Sequence, residues 1–331
     1  DNVIDVTKAP YNVARDGMTD CSAAVQKAID DAKAAGGGMV YLPKGVYKIK
    51  HIALPSKVTL VGDGMENTTI LYINNDPEDK RVLIDTKDDG ATDGIIGIAD
   101  FTIKVPEGNM IPRAFVWLGE VWGDNYYSRS LRTAKYIFMK GIRQDIPVDL
   151  PDDKAAKGGS GAILFADSDV LAEDNIFYGR TSGITSTNIG TYAYFINNHF
   201  TISSGHIFAI ASKTVYEHNV FNFINDLVEH SYSQGLFCRS YAYAYRNSFK
   251  NQGEIDATTG EVICAESYMG ETRMVGNVAS CAGNTVSAVP TDGAADFLCG
   301  KSFLNVDYWD INNGQSYDSC YILITKGRGL G

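Results

Sequence analysis

In the middle of the chain, from Gly161 to about Ala279, hydrophobic residues occur in short runs that Gly, Ser, Asn and Asp interrupt. Such runs, rich in β-branched and aromatic residues and bounded by turn formers, are typical of strands. One motif recurs between them, an Asn followed two positions later by Phe. Its copies are Asn175 with Phe177, Asn198 with Phe200, Asn219 with Phe221, Asn247 with Phe249, and a degenerate Asn277 with Ala279.

A second string precedes several copies of the motif and begins at Ile163, Ile207, Leu236 and Val262. Strand-rich units that repeat every ~20 to 30 residues indicate a solenoid. No unit contains a helix-length amphipathic pattern, so the pattern predicts a parallel β-helix whose coils stack at about 4.8 Å. Stacking brings equivalent positions into register, and we expect a ladder of buried Asn side chains and a ladder of Phe rings.

Near the N-terminus the apolar residues follow a helical period instead. Thr19-Asp20 can cap this helix, and Gly36-Gly37-Gly38 ends it, so a helix is predicted from Ser22 to Ala35. Residues 1–18 are predicted as an irregular lead-in, and strands are predicted at 39–42, 46–49, 57–61 and 68–73.

The same segment resembles the opening of the pectate-lyase superfamily. Residues 11–20 (YNVARDGMTD), the predicted helix and residues 36–47 (GGGMVYLPKGVY) match the pattern GDGxTDDTxAIQxAI…GGGxVYLPxGxY, with departures at Arg15 and Cys21. Members of that superfamily are right-handed parallel β-helices, among them polygalacturonase-like hydrolases, lyases and phage tailspikes. The resemblance covers residues 11–73 and implies that this segment forms the N-terminal cap and the first coils.

The expected fold is therefore all-β, a right-handed parallel β-helix with an N-terminal capping α-helix, and a single domain over residues 1–331. Residues 1–50 are expected to form the cap and first coil, 161–279 the clearest repeat coils, and 280–331 C-terminal coils or a cap. We expect that the chain is truncated or processed at its C-terminus. Segments 116–130 and 145–160 are predicted as loops that wall a groove.

The net charge and composition argue against some classes of binding partner. A net charge of −11 argues against nucleic acid or an anionic membrane. It also weighs against a strongly anionic polymer, unless a local basic groove overrules it. No stretch is apolar and long enough to span a bilayer. The chain starts at Asp1 and not at Met, which indicates a removed segment, and we expect a secreted, extracellular or cell-surface protein. The six Cys fit no zinc spacing.

Acidic residues recur at similar distances after the repeated Asn. On neighbouring coils their carboxylates would lie about 5 to 10 Å apart, which brackets the separations used by glycosidases. The candidate catalytic residues are Asp226, Glu229, Glu254, Asp256, Glu261 and Glu266. The candidate substrate-binding residues are Arg180, His206, His230, Arg239, Trp117 and Trp122. The alternative is that these are solvated turn residues, and that Arg239 and Glu266 form a structural ion pair.

These residues favour a glycoside hydrolase that cleaves a polysaccharide or oligosaccharide and needs no cofactor. A polysaccharide lyase is the alternative. It would use a base such as His206, His230 or Lys250, with Ca²⁺ as a candidate cation. A third hypothesis is a non-catalytic glycan-binding, adhesin or tailspike-type β-helix. The protein would be a monomer or a trimer, and a trimeric trunk should show one apolar longitudinal face. Within the repeat, no Asp-Asp pair of the kind that polygalacturonase-like hydrolases carry is present, so their catalytic residues cannot be carried over.

Overall fold

The computed structural model describes the fold through a defined set of residues, which are 2–74, 82–87, 89, 94–106, 109, 112, 114–119, 134–146, 161–164, 169–179, 183–186, 192–202, 206–209, 213–223, 236–238, 241–245, 248–251, 254–255, 262–263, 272–275, 278–282, 285–288, 305–310 and 315–322. Most of them lie in strands, and the helix among them is Ser22–Ala34.

Each coil passes through three strand ladders in turn. Ladder 1 is a seven-stranded sheet of Ile52–Leu54, Ile84–Thr86, Val116–Leu118, Ala162–Leu164, Gly183–Ser186, His206–Ala209 and Leu236–Cys238. Ladders 2 and 3 together form an 18-stranded sheet, and two long strands, Gly94–Lys104 and Ala134–Ile146, run through both. The other strands of ladder 2 are Val3–Asp5, Gly38–Leu42, Val58–Gly62, Val170–Glu173, Tyr192–Ile196, Lys213–Glu217, Tyr241–Tyr245 and Val278–Ala282. The other strands of ladder 3 are Asp16–Asp20, Gly45–Ile49, Thr68–Tyr72, Ile176–Gly179, His199–Ile202, Val220–Phe223, Ser248–Asn251 and Thr285–Ala288.

Neighbouring strands within each ladder are parallel. Connections between parallel strands of one sheet are right-handed almost without exception. The molecule is a right-handed parallel β-helix, which confirms the predicted fold class. In most of the strands whose side chains are described, alternate side chains point inward, and they form one continuous apolar core that extends as far as Tyr216.

The predicted Phe ladder lies in this core on ladder 3. The rings of Phe177 and Phe200 are fully buried and stacked, with centroids 4.9 Å apart and an interplanar angle of 11°. The strand register continues the column from Phe200 to Phe221 and Phe249. Stacked rings at the coil spacing add to the burial energy and hold adjacent coils in one register.

The predicted Asn ladder lies at the corner between ladders 2 and 3. Asn175 Nδ2 donates to Asn198 Oδ1 at 2.8 Å, and Asn198 Nδ2 donates to Asn219 Oδ1 at 3.0 Å. All three side chains are fully buried, and they also bond backbone groups of neighbouring coils. The residues just before them, Asp174, Asn197 and His218, have φ between 53° and 56°. Left-handed backbone turns the chain sharply, and Asp, Asn and His accept it more readily than most residues.

Two details of the predicted repeat were wrong. Ser248 pairs with Thr285 and Phe249 with Val286, so the fifth copy lies later in the chain than Asn277. The sequence alignment matched Ile163 with Ile207, but the structure pairs Ile163 with Thr185 and Thr185 with Phe208. The predicted alignment was therefore shifted by one residue, and it missed the coil that contains Gly183–Ser186. Connections of unequal length shift the spacing along the sequence, whereas backbone pairing sets the register.

Several elements were missed or misjudged. Val3–Asp5 and Asp16–Asp20 are strands within the expected irregular lead-in, because they pair with Gly38–Leu42 and Gly45–Ile49 and so obtain their hydrogen bonds. Val116–Leu118 is a strand of ladder 1 and not part of a loop. In Ala134–Ile146 the buried positions shift phase at Gly141, whose φ of 61° turns the corner, and this hides the two-residue period.

The helix Ser22–Ala34 covers the open end of the β-helix, as predicted. Val25, Ala28 and Ile29 are fully buried against the first coils. On the adjoining side, Gln26 replaces a missing strand: its Nε2 donates to Ala53 O at 3.0 Å, and its Oε1 accepts from Ala53 N at 2.8 Å. The side-chain amide thus satisfies both backbone groups of Ala53 on the first strand of ladder 1 and blocks an edge that could otherwise pair with another chain.

Replacing Gln26 by Leu is expected to lower the free energy of unfolding by about 1 to 3 kcal/mol, because the backbone groups of Ala53 lose their partner. Urea denaturation followed by circular dichroism measures this change. Lys27→Leu is the matched control, since Lys27 is 60% exposed and one position further on, and surface changes usually stay within about 0.5 kcal/mol. Equal stability of Gln26→Leu and wild type would contradict the proposed role.

Near the C-terminus the described strands pair antiparallel. Glu254–Ile255 pairs with Val262–Ile263, and Gln315–Ile322 pairs with both Thr272–Val275 and Asn305–Asp310. The division of the chain into cap, repeat coils and C-terminal part stays a prediction. Across the described ranges, no helix combines the length and the apolar content that crossing a bilayer requires.

Candidate functional site

The outward face of ladder 1 is covered where the structure describes its side chains. Trp117 points outward in register with Asp85 and Ile163, since the flanking Val116 and Leu118 belong to the core. Its ring is only 6% exposed and packs in a small cluster with Val82, Ala114 and Ile163. Trp117 therefore contributes to packing on this face, and its role in substrate binding stays a prediction.

Most of the other predicted site residues lie outside the described residues, and their roles stay predictions. These residues are Arg180, Trp122, Asp226, Glu229, His230, Arg239, Asp256, Glu261 and Glu266. Along the chain, Arg180 comes directly after the ladder 3 strand ending at Gly179, and 226–230 follow the ladder 3 strand ending at Phe223. His206 opens a ladder 1 strand opposite Gly183. Along the sequence, Arg180, residues 226–230 and His206 therefore fall in or directly next to a connection from ladder 3 to ladder 1.

The expected juxtaposition of Arg239 and Glu266 rested on a wrong alignment. That hypothesis aligned Arg239 with Ala211, whereas Ala209 pairs with Cys238, so the alignment was one residue out of register. Val262–Ile263 does not continue ladder 1 but pairs antiparallel with Glu254–Ile255. Glu254 itself pairs with Ile263, so it opens this antiparallel pair and does not stack on the preceding coil.

A charged cluster that the sequence did not reveal lies at the corner between ladders 2 and 3. Lys140 Nζ lies 2.8 Å from Glu173 Oε2 and 4.0 Å from Asp174 Oδ2. Desolvation by burial raises the pKa of Asp100, a shift that the charge of Lys140 opposes and that of Asp174 reinforces. Asp100 and Asp174 both have positive φ. This backbone conformation accounts for their residue types without a catalytic role.

The outward face of ladder 3 carries exposed groups suited to sugar binding. Arg143 Nε donates to Asp145 Oδ1 at 2.8 Å, and this hydrogen bond is the main cause that raises the pKa of Arg143. Tyr178 lies beside Asp145 on the next coil and is 46% exposed, and Thr201 follows on the coil after. His199 is exposed in the column of Arg143.

Sequence reasoning missed this face because it did not recognise the strand Ala134–Ile146. A usable signal was present: in Arg143-Gln144-Asp145, positions two apart in a strand share a face, and an Arg and an Asp at that spacing can bond. The pairing that places Tyr178 beside Asp145 depends on the connection between the two coils and could not be read from spacing.

The outward face of ladder 2 is more apolar. Ile95 is 47% and Tyr136 38% exposed, and the two lie in register. Further along, the rings of Tyr192 and Tyr194 stack on each other with centroids 5.6 Å apart. An apolar face of this kind is what the hypothesis of an oligomeric trunk predicts. Within the described ranges, no group of three or more His, Cys, Asp or Glu side chains is placed to hold a metal ion.

A family model described as rhamnogalacturonase A/epimerase, pectate lyase-like matches residues 4–225. The chain belongs to this family. The match covers the cap and the coils that carry the Asn and Phe ladders up to Asn219 and Phe221, and it confirms the resemblance to pectate-lyase-like β-helices.

Curated relatives of this family member include mannuronan C5-epimerase AlgE5 of Azotobacter vinelandii, 28% identical over 207 residues, or 56% of this chain and 21% of the relative. Alginate lyase 7 of the same organism is 36% identical over 107 residues, 30% of this chain and 12% of the relative. The chain thus spans about a fifth or less of the length of these relatives.

Two solved structures are similar to the structure of this chain. The A-module of mannuronan C-5 epimerase AlgE4 from Azotobacter vinelandii has a TM-score of 0.43 at 16% identity and covers 87% of this chain and 88% of its own. The surface adhesin PfbA of Streptococcus pneumoniae has a TM-score of 0.38 at 15% identity and covers 86% of this chain and 89% of its own.

Proposed function

We propose that this protein is a polysaccharide-modifying enzyme that acts on a uronate polymer by removing the proton at C5 of the sugar. The observation that carries the proposal is the similarity of this chain to mannuronan C5-epimerases and to an alginate lyase. Sequence patterns alone favoured a hydrolase, whereas the named relatives favour a lyase or an epimerase. A secreted location, also proposed, suits a polymeric substrate.

Both chemistries begin with the same step. The C5 proton lies α to the uronate carboxylate, so a base that removes it sends the electron pair toward that carboxylate, which must be neutralised. An epimerase then returns a proton to the opposite face of C5. A lyase instead lets the pair form the C4–C5 double bond while the C4–O bond breaks and the leaving sugar takes a proton.

The chain offers three candidate bases for this step. His206 opens a ladder 1 strand, and His230 lies in the ladder 3 to ladder 1 connection that follows it. Lys250 belongs to ladder 3, in register with Asn222. Histidine suits general-base work near neutral pH. The hydrolase alternative relies instead on the carboxylates of Asp226, Glu254 and Glu266.

The expected result is activity on polymannuronate or alginate, and none on neutral glucans. Purified protein is incubated in D₂O with each polymer, and three signals are followed: deuterium at C5 by NMR, near-ultraviolet absorbance, and new reducing ends. Epimerisation gives deuterium without chain cleavage. Elimination gives absorbance together with reducing ends. His206→Gln and His230→Gln are expected to reduce the signal if these side chains act as the base.

Matched variants distinguish a hydrolase from the proposed lyase or epimerase. Asp226→Asn, Glu254→Gln and Glu266→Gln are run beside the His variants on the same polymers. Reducing ends without absorbance or deuterium, lost in one carboxylate variant, would contradict the proposal and establish hydrolysis. Silence on every polymer, together with a trimer in light scattering, would favour a non-catalytic trunk built on the apolar face of ladder 2.

A further inference from the structure

The charges on ladder 3 differ in sign from the chain as a whole. The net charge is −11. From Thr68–Tyr72 to Thr285–Ala288, however, the ladder 3 strands, which include residues 101–104 and 142–146 of the two long strands, contain one acidic residue, Asp145. Their cationic residues are Lys104, Arg143 and Lys250. Lys104, Asp145, Tyr178 and Thr201 form one column in successive coils, and the register extends it to Asn222 and Lys250.

The one acidic group on this face is already engaged. Asp145 Oδ1 accepts the Arg143 Nε hydrogen bond, and the side chains are 22% and 36% exposed, respectively. The Glu66 charge also acts on Arg143. Among the described residues, the guanidinium makes one side-chain hydrogen bond, through Nε, so its two terminal NH₂ groups can meet a carboxylate side by side. Such bidentate pairs are strong because both hydrogen bonds are charge-assisted.

The remaining groups on this face suit the rest of a sugar chain. Tyr178 presents an exposed ring next to Asp145, and a tyrosine ring combines apolar area with a hydroxyl. Thr201 adds a hydroxyl one coil further on. Coils repeat about every 4.8 Å, so a polymer lying along the solenoid axis would meet a cation, a ring and a hydroxyl on successive coils.

We propose that the outward face of ladder 3, named here the cationic strip and formed by Lys104, Arg143, Tyr178 and Thr201, binds the carboxylates of a uronate chain at a distance from the reacting sugar. Arg143, oriented by Asp145, takes a carboxylate in bidentate fashion. Lys104 contributes a second positive charge, and Tyr178 stacks on a sugar face. The choice of a uronate rests on the proposed function, whereas the affinity for carboxylated sugars rests on the strip itself.

The test measures binding of the full chain to alginate oligosaccharides by isothermal titration calorimetry, with neutral cello-oligosaccharides for comparison. Arg143→Gln is expected to weaken alginate binding about tenfold, which is the loss of roughly one charge-assisted contact. Arg143→Lys keeps the charge but loses the fork, and is expected to restore only part of the affinity. Lys104→Gln, at an exposed position, provides a second variant that leaves the fold intact.

Lys135→Gln is the matched control, because Lys135 is an exposed cation on ladder 2 whose Nζ lies 5.5 Å from the Tyr136 ring centroid. Equal binding by wild type, Arg143→Gln and Lys104→Gln would overturn the proposal, as would equal affinity for the neutral oligosaccharides. Activity on alginate is measured in parallel. If binding depends on the cationic strip but alginate is not turned over, the proposed enzyme activity is rejected and the binding role of the strip is retained. If alginate is turned over and the variants bind it as wild type does, the binding role of the strip is rejected and the proposed activity is retained.

Discussion

Replacing Asn198 by Ala is expected to lower the free energy of unfolding by about 3 to 5 kcal/mol. Asn198 Oδ1 accepts from both the backbone N and the Nδ2 of Asn175, and its Nδ2 donates to Asn219 Oδ1 and Ala172 O. The side chain is fully buried, so truncation leaves several groups without a partner and without water. Each such group costs about 1 to 3 kcal/mol, and a connected network loses more than one isolated bond.

Urea unfolding followed by tyrosine fluorescence and circular dichroism gives the change for Asn198→Ala. Asn197→Gly is the control: the side chain is exposed and the backbone has φ of 53°, which Gly adopts without strain. That variant loses the hydrogen bond from Asn197 Nδ2 to Asp174 Oδ1 and the contact of Asn197 Oδ1 with His199 Nε2 at 3.3 Å. Both lie at exposed side chains, and the stability should stay within about 1 kcal/mol of wild type. Equal losses in the two variants would show that the Asn ladder has no special role.

Replacing Gln144 by Leu is expected to raise the free energy of unfolding by about 1 to 3 kcal/mol. Gln144 is fully buried, and neither its Oε1 nor its Nε2 has a hydrogen-bond partner among the described residues. Its register neighbours are Ile103 on one side and Phe177 on the other, both in the core. Leu has a similar volume and removes the cost of burying an unpaired amide.

The same unfolding measurement tests Gln144→Leu beside Gln144→Met, which keeps the unbranched shape of the side chain. Both variants should unfold at higher urea concentration than wild type. Gln144→Glu is the opposite control, because it buries a carboxylate at the same place and should destabilise. A loss of stability in Gln144→Leu would show that the amide has a partner outside the described residues.

The recurrence of the Asn-x-Phe motif was sufficient to predict the main architecture. In a stacked solenoid, equivalent positions of successive coils meet, and the Asn175–Asn198 and Phe177–Phe200 contacts follow directly from that rule. The capping helix was equally predictable, because a helical period of apolar residues precedes the coils in the sequence. The buried residues of the helix lie at that spacing.

The candidate site was less accessible from the sequence. Counting from each Asn placed charged residues in a common region, but connections of unequal length make such counts unreliable from coil to coil. The same limitation misplaced the fifth repeat and the partner of Arg239. The pair Arg143–Asp145 was missed because a corner at Gly141 disguised its strand.

The sequence by itself determined the fold class, the family and the inward ladders, because these depend on local periodicity and on a motif that recurs in successive coils. Only the tertiary structure decided which outward positions are reachable. Trp117 and Tyr178 both point away from the core, yet the first is 6% and the second 46% exposed. The difference arises from what packs over each face, Val82, Ala114 and Ile163 around Trp117, and such contacts join parts of the chain that no sequence period relates.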